Sequence, residues 1–191
     1  MPFRLHDTLT GEIREFAPAE PGVVRMYNCG PTVYSSPHVG NYRAWTCVDV
    51  LRRALELSGL RVRQVMNITD VGHLTLDDIE SGEDKMEAAS RREGRTAWDV
   101  ARHYTAEFFE VVRRLRFRPA EEYPKATEHV DLMIEMIEAL IERGHAYATP
   151  SGNVYFDVAT FPAYGRLSNN SLEDLVGGAS AEVVEEKRHP A

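Results

Sequence analysis

The sequence predicts an α/β protein whose first half is built on a parallel sheet and whose second half is a smaller α+β insertion. Three patterns predict this class: a strand–helix–strand pattern over residues 23–68, helical patterns over residues 83–143, and a hairpin pattern over residues 147–158. Two parallel strands need a long crossover connection, which the first pattern provides. We place the boundary near Arg116–Tyr123, giving segments 1–118 and 119–191.

The composition narrows the class of protein. The chain has 191 residues, of which 43% are hydrophobic and 27% charged, as in ordinary globular domains. Its two cysteines, Cys29 and Cys47, exclude a disulfide framework and suit a reducing compartment, so we expect a cytoplasmic protein. No apolar run approaches the roughly 18 residues that span a bilayer, so no membrane partner is expected. The net charge of −8 argues against a broad nucleic-acid-coating surface.

The first half begins with an alternating pattern at residues 3–16, which predicts a β-hairpin turning at Thr10-Gly11. Val23–Tyr27 is predicted as a buried strand, and Val62–Ile68 as its parallel partner. Between them a helix is expected from Tyr42 to Ser58, ended by Gly59. The predicted apolar face of that helix comprises Ala44, Trp45, Val48, Leu51, Ala54 and Leu55. Cys47 falls on the same side and is expected in the core.

The second predicted strand is followed by an acidic, glycine-containing loop at residues 69–82 and then by a helix at 83–92. Thr96 is predicted to cap the next helix. The apolar face expected for it comprises Trp98, Ala101, Tyr104, Phe108, Val111 and Leu115. A further helix runs from Thr127 to Gly144, where Glu128 and His129 are expected to serve the helix start. A hairpin follows at Tyr147–Val158, and short polar pieces begin at Phe161.

Polar residues concentrate where the first predicted strand passes into its helix, over residues 28–43. Open parallel sheets bind ligands at this kind of position. His38 and Asn41 would stand beside the free N–H groups of the first helical turn, where an anion is favoured. Gly40 would let a flat base or ribose approach the backbone. The chain has no Walker-type phosphate loop and no dinucleotide fingerprint. The segment therefore predicts a nucleoside triphosphate site, with a simple helix cap as the alternative.

Six segments together resemble the cysteinyl-tRNA synthetase family. They occur in the family's order, as Cys29–Tyr34, Pro37–Asn41, Val65–Asp70, Pro124–His129, Gly152–Val158 and Tyr164–Ser168. The stretch His38–Asn41 is similar to the "HIGH" signature of class I synthetases, with Asn41 in place of the last histidine. The resemblance implies the first half of a Rossmann-like, HUP-type catalytic domain followed by a connective insertion. It also implies a ligase of protein biosynthesis.

The resemblance further implies the substrates and the residues that bind them. ATP, with Mg²⁺, would be bound by Thr32, Pro37, His38, Gly40 and Asn41, of which His38 and Asn41 are the expected catalytic residues. L-cysteine would be bound by Cys29, Gly30, Thr69 and Asp70, and the product would be cysteinyl-tRNA(Cys). Cys29 matches a ligand of a zinc ion that binds the substrate thiolate. A shape pocket separates near-isosteres such as cysteine and serine by only about 1–3 kcal/mol, whereas zinc distinguishes sulfur from oxygen by softness.

Several family features are missing from these 191 residues. The other zinc ligands, the "KMSKS" loop and the anticodon-binding region would lie beyond Ala191. We therefore expect this chain alone to be inactive and to hold zinc weakly, and the full-length enzyme to be a monomer. The loop after Asp70 is longer than in the commonest family form, so its acidic residues have no assignment. Two alternatives stay open: a cysteine–aminosugar ligase of mycothiol synthesis, and a shortened non-catalytic paralogue that acts as a binding module.

Overall fold

The structure is a computed structural model that describes residues 3–71, 85–169 and 187–188. Its first element is the N-terminal hairpin. Strands β1 (Arg4–Asp7) and β2 (Glu12–Glu15) pair antiparallel, with Leu5 opposite Arg14. The turn closes where the Gly11 N–H donates to the Asp7 carbonyl at 2.8 Å, and Gly11 has a positive φ of 71°. The predicted hairpin is confirmed.

A parallel βαβ unit forms the centre of the chain. Strands β3 (Val23–Asn28) and β4 (Arg61–Met66) pair in parallel, and helix α1 (Val39–Leu57) connects them. Helix α1 starts three residues before the predicted Tyr42 and ends at Leu57, one residue before the predicted Ser58. Gly59 follows with a φ of +85°. The observed mixed α/β architecture agrees with the predicted class, although each named sheet has only two strands.

Residues 121–126 run alongside the edge of β4 that faces away from β3. Parallel bridges join Val65 to Glu122 and Ile68 to Lys125. The backbone N–H of Met66 donates to the carbonyl of Glu122 at 3.1 Å, and that of Ile68 to the carbonyl of Pro124 at 2.8 Å. Both edges of β4 are therefore occupied, which satisfies the backbone groups of this strand.

The helices after the sheet are α2 (Lys85–Glu93) and α3 (Ala97–Arg114). As predicted, Thr96 caps α3, because its Oγ1 accepts the Asp99 N–H at 3.1 Å. The buried residues of α3 are Val100, Ala101, Phe108 and Val112. The predicted face is wrong at Trp98 and Leu115, whose surfaces are 62% and 48% exposed. The reason is that Phe108 and Val112 pack with Trp45, Met66 and Ala120, which rotates the buried stripe away from those two residues.

Cys47 corrects a second expectation, because its side chain is exposed and not in the core. The buried residues of α1 are Trp45, Arg52 and Leu55. Cys47 lies two positions after Trp45, about 200° around the helix, so burial of Trp45 turns Cys47 outward. None of the described helices is long and apolar enough to cross a membrane.

The chain divides into two compact units. One is Ala17–His129, and the other is Met1–Phe16 together with Val130–Ala191. A short 3₁₀ helix, Ala126–His129, ends the first unit. The second contains α4 (Val130–Glu142), none of whose residues is buried, and Gly144 follows it with φ +76°.

The C-terminal hairpin also belongs to the second unit. Strands β5 (Ala146–Ala148) and β6 (Val154–Phe156) pair antiparallel, as predicted. A 3₁₀ turn at Val158–Thr160 follows. Most of the predicted acidic loop at residues 69–82 lies outside the described residues.

Candidate functional site

A small polar cleft lies between the end of β3 and the start of α1. Its volume is about 140 Å³. It is lined by Gly30, Pro31, Thr32, Tyr34, Ser35, Ser36, Pro37, His38, Asn41 and Trp45. Five residues predicted to bind substrate therefore share one cleft: Gly30, Thr32, Pro37, His38 and Asn41. Ligand pockets usually measure about 300–1,000 Å³, so this cleft can hold only part of a ligand as large as ATP.

His38 and Asn41 form a reciprocal cap at the first turn of α1. The Nδ1 atom of His38 accepts the backbone N–H of Gly40 at 3.0 Å. The side-chain oxygen of Asn41 accepts the backbone N–H of His38, also at 3.0 Å. Because a backbone N–H can only donate, Nδ1 is the accepting nitrogen and the ring N–H is on Nε2. The cap and the predicted binding role are compatible, since Nε2–H remains able to donate to an anion at a helix N-terminus.

Gly40 does not line the cleft, but it determines how His38 lies. A β-carbon at Gly40 would be 2.7 Å from Cε1 of the His38 ring. A larger residue would therefore displace the imidazole from the cap. The observed role of Gly40 is to leave space for the His38 ring. The predicted approach of a base or ribose to its backbone stays a prediction.

Gly30 follows β3 and lies directly against the backbone at the end of β4. A β-carbon there would be 1.9 Å from the backbone oxygen of Asn67 and 2.9 Å from Cγ of Met66. Thr32 forms a parallel bridge with Thr69, and the Thr69 N–H donates to the Pro31 carbonyl at 3.0 Å. The structure thus brings Gly30, Thr32 and Thr69 together, and only glycine fits at the first of these positions.

Asp70 is buried, with 8% of its surface exposed, and is engaged by the short helix at Ala126–His129. Its carboxylate accepts the Thr127 backbone N–H at 3.0 Å and the Thr127 hydroxyl at 2.7 Å. Nδ1 of His129 lies 2.8 Å from the Lys125 carbonyl, in keeping with a role at the helix start. These contacts give Asp70 an anchoring function, and its contact with substrate stays a prediction.

Cys29 is an exposed free thiol at the end of β3. Within residues 3–71, 85–169 and 187–188, no three His, Cys, Asp or Glu side chains are grouped so that they could hold a metal ion. A zinc site needs three or four protein ligands. The described residues therefore do not fit zinc by themselves, and we derive no chemical step through a metal.

Arg52 is a buried arginine that connects α1 to β4 and to residues 121–126 beside β4. The sequence alone gave it no role. Nη1 of Arg52 donates to Oε1 of Gln64 at 3.0 Å, and Nη2 donates to Glu121 at 2.7 Å. Burial would raise the pKa of Glu121, but hydrogen bonds from the Gln64 N–H and from Arg52 outweigh it and lower that pKa. Gln64 in turn donates to the side chain of Asn28 at 2.7 Å, directly before Cys29.

Asn67 is the other residue without a sequence-based role. Its side chain bonds to Tyr27, Gly30 and Thr69, at the ends of both strands. The available signal was a polar residue at the end of an apolar strand. That signal marks a position near the site, but it does not reveal which groups the side chain joins.

Comparison with known proteins gives one consistent family. Residues 15–191 match the family described as tRNA synthetases class I (C) catalytic domain. The cysteine--tRNA ligase of Treponema denticola is 45% identical over 190 residues, covering 100% of this chain and 38% of that protein. The corresponding ligase of Novosphingobium aromaticivorans is 46% identical with the same coverage. That of Deinococcus radiodurans is 46% identical over 97% of this chain and 37% of its own length. The chain spans less than two fifths of these relatives.

Proposed function

The chain belongs to the class I cysteinyl-tRNA synthetase family, and we propose that the complete protein is a cysteine--tRNA ligase. Such an enzyme converts ATP and L-cysteine to cysteinyl-adenylate and pyrophosphate, then transfers the cysteinyl group to tRNA(Cys). What carries the proposal is the identity of about 45% to curated ligases along the whole chain. The shared cleft of Gly30, Thr32, Pro37, His38 and Asn41 supports it.

The adenylation chemistry needs positioning and charge stabilisation more than it needs a protein nucleophile. The carboxylate of the amino acid attacks the α-phosphate, and pyrophosphate leaves. The His38 Nε2–H and the N-terminus of α1 would face the phosphates, where fixed donors stabilise the charge that develops in the transition state. The ends of β3 and β4 would hold the amino acid close to that phosphate.

We also propose the domain organisation and ligands that the resemblance implies. Residues 1–118 would form half of a Rossmann-like, HUP-type catalytic domain, and residues 119–191 a connective insertion. The parallel β3–α1–β4 unit supports the first assignment, and the bridges of Glu122 and Lys125 extend its sheet slightly into the second segment. Cys29 would supply one zinc donor, with the remaining donors outside the described residues. The site of action would be the cytoplasm.

The test is amino-acid-dependent exchange of pyrophosphate into ATP by the complete protein. L-cysteine should support exchange and L-serine should not. Replacing His38 by Ala should lower exchange by about 100-fold or more, the usual cost of losing a transition-state donor. His103, an exposed histidine on α3, gives the matched control His103→Ala, which should retain activity. No exchange by the unmodified protein, or exchange unaffected by His38→Ala, would overturn the proposal.

A second readout separates the enzyme from the aminosugar ligase. Exchange with cysteine but no transfer to tRNA(Cys) would show that the adenylate is used by another acceptor. Transfer to tRNA(Cys) is the expected result. Circular dichroism of each variant checks that losing the His38 cap, worth about 1 kcal/mol, has not unfolded α1.

A further inference from the structure

The side chain of Asn67 joins three groups at the ends of β3 and β4. Its oxygen, Oδ1, accepts the Tyr27 hydroxyl at 2.9 Å and the Gly30 backbone N–H at 3.2 Å. Its nitrogen, Nδ2, donates to the Thr69 hydroxyl oxygen at 3.0 Å. Gly30 and Thr69 are both proposed to contact the amino acid, whereas Asn67 has no assigned role. One amide therefore links two proposed binding residues on different strands.

The chemistry of these partners fixes the orientation of the amide. The Gly30 N–H can only donate, so the atom facing it must be the oxygen, and the nitrogen must face Thr69. The Thr69 hydroxyl consequently accepts from Asn67. Because a hydroxyl has a single proton, that proton must point away from Asn67, where it can donate to a ligand. Thr69 is half-buried and bridges Thr32, which lines the cleft.

We propose that Asn67 is a positioning residue that directs the Thr69 hydroxyl to donate to an acceptor atom of the amino-acid substrate. The inference rests on the proposed function, which supplies that substrate. The ammonium group of L-cysteine can only donate, so the acceptor is its carboxylate or its ionised thiol. The Gly30 N–H, which can only donate, keeps the amide in the orientation that this arrangement requires.

The informative variant is Asn67→Asp in the complete protein. A carboxylate keeps acceptors for Gly30 and Tyr27 but cannot donate, so Thr69 must turn its proton toward residue 67. We expect the KM for cysteine in pyrophosphate exchange to rise about 10- to 100-fold, the loss of one hydrogen bond to a charged group. The kcat should change less than the KM, because the contact is already made when the amino acid binds. The matched control Tyr27→Phe removes a donor to the same oxygen without reversing Thr69, so its KM should stay within about threefold.

A double-mutant cycle distinguishes this mechanism from a charge effect of the new carboxylate. In a Thr69→Val background the proton is already absent, so Asn67→Asp should raise the KM no further. A further rise of the same size would overturn the proposal. Thr69→Val alone should raise the KM about 10- to 100-fold, as Asn67→Asp does, because it removes the same donor. An unchanged KM in Thr69→Val would overturn the proposal even if the Asp variant does not fold. If the unmodified enzyme is active and Asn67→Asp leaves the KM unchanged, this inference alone is refuted. If the unmodified protein shows no exchange, the proposed function is refuted as well.

Discussion

Replacing Arg52 by Met should destabilise the chain far more than the same change at its neighbour Arg53. The Arg52 side chain is only 8% exposed, and its guanidinium also donates to Glu56 at 2.9 Å and to the Pro119 carbonyl at 2.8 Å. It thereby fastens α1 to β4 and to the segment beside β4. Arg53 is 45% exposed and pairs with Asp49 on the same helix. It also donates to the carbonyl of Arg116, but that residue is exposed, so water can replace this bond.

The magnitude follows from the groups that lose a partner. The Gln64 oxygen belongs to a residue that is 3% exposed, and an unsatisfied buried acceptor costs about 1–3 kcal/mol. Glu56 and Glu121 are 28% and 40% exposed, so water can replace part of what they lose. We expect Arg52→Met to lower the free energy of unfolding by about 3–5 kcal/mol, the range for breaking a buried ion pair. Arg53→Met should cost about 1 kcal/mol or less.

Urea unfolding followed by tryptophan fluorescence measures both changes. Trp45 is buried against Phe108, with ring centroids 5.1 Å apart, and reports on the same unit as Arg52. Trp98→Phe removes the exposed tryptophan that would blur the signal. Equal losses for Arg52→Met and Arg53→Met would refute the view that Arg52 fastens these elements together.

Three further predictions concern Glu121, Gly30 and β3. Hydrogen bonds from Gln64 and Arg52 lower the pKa of Glu121 against the effect of burial. The ionised Glu121 side chain therefore stabilises the fold above its pKa in the unfolded chain, about 4.3, and this stabilisation is lost as pH falls through its pKa in the folded chain. Acid titration of unfolding should therefore be shallower for Glu121→Gln, and an unchanged slope would contradict the assignment. Gly30→Ala should cost about 3 kcal/mol or more, because its β-carbon would lie 1.9 Å from Asn67 O. Thermal unfolding should show a larger loss than for Gly22→Ala, where the β-carbon meets no atom within 4 Å and only the positive φ of 76° is unfavourable. Within the described residues β3 pairs with β4 and otherwise has only the bridge of Val23 to Glu20. Its remaining open edge should make the 191-residue chain self-associate with rising concentration in sedimentation, and a clean monomer would contradict this.

Local signals in the sequence were sufficient for most of the elements and for the C-terminal ends of the helices at Gly59 and Gly144. Gly59 and Gly144 were predicted to end helices, and both adopt the positive φ that favours glycine there. The N-terminal hairpin turn and the Thr96 cap were likewise predicted, because each depends on residues close together in the chain. The parallel pairing of β3 and β4 followed from the helix between them.

Features that depend on contacts between residues far apart in the chain could not be predicted. Helical spacing alone allowed Cys47 and Trp98 to be buried, but packing of Trp45 and Phe108 exposes both. Burial of Arg52 was hidden for a similar reason, since its partner Glu121 is 69 residues away. Asn67 could be placed near the site, yet its bond to Gly30 spans 37 residues, so its role became visible only from the fold.

The most direct test of the central claim is a crystal structure of the complete protein with a sulfamoyl analogue of cysteinyl-adenylate. We predict that the nucleoside part binds beside His38 and Asn41 at the start of α1, and the cysteinyl part beside Gly30 and Thr69 at the strand ends. A competing location exists on the exposed face of β3 and β4, in a groove of about 380 Å³ that includes Arg25, Tyr27 and Arg63. If the analogue binds in that groove and leaves the α1 cleft empty, the cleft is not the adenylate site and the proposed site is wrong.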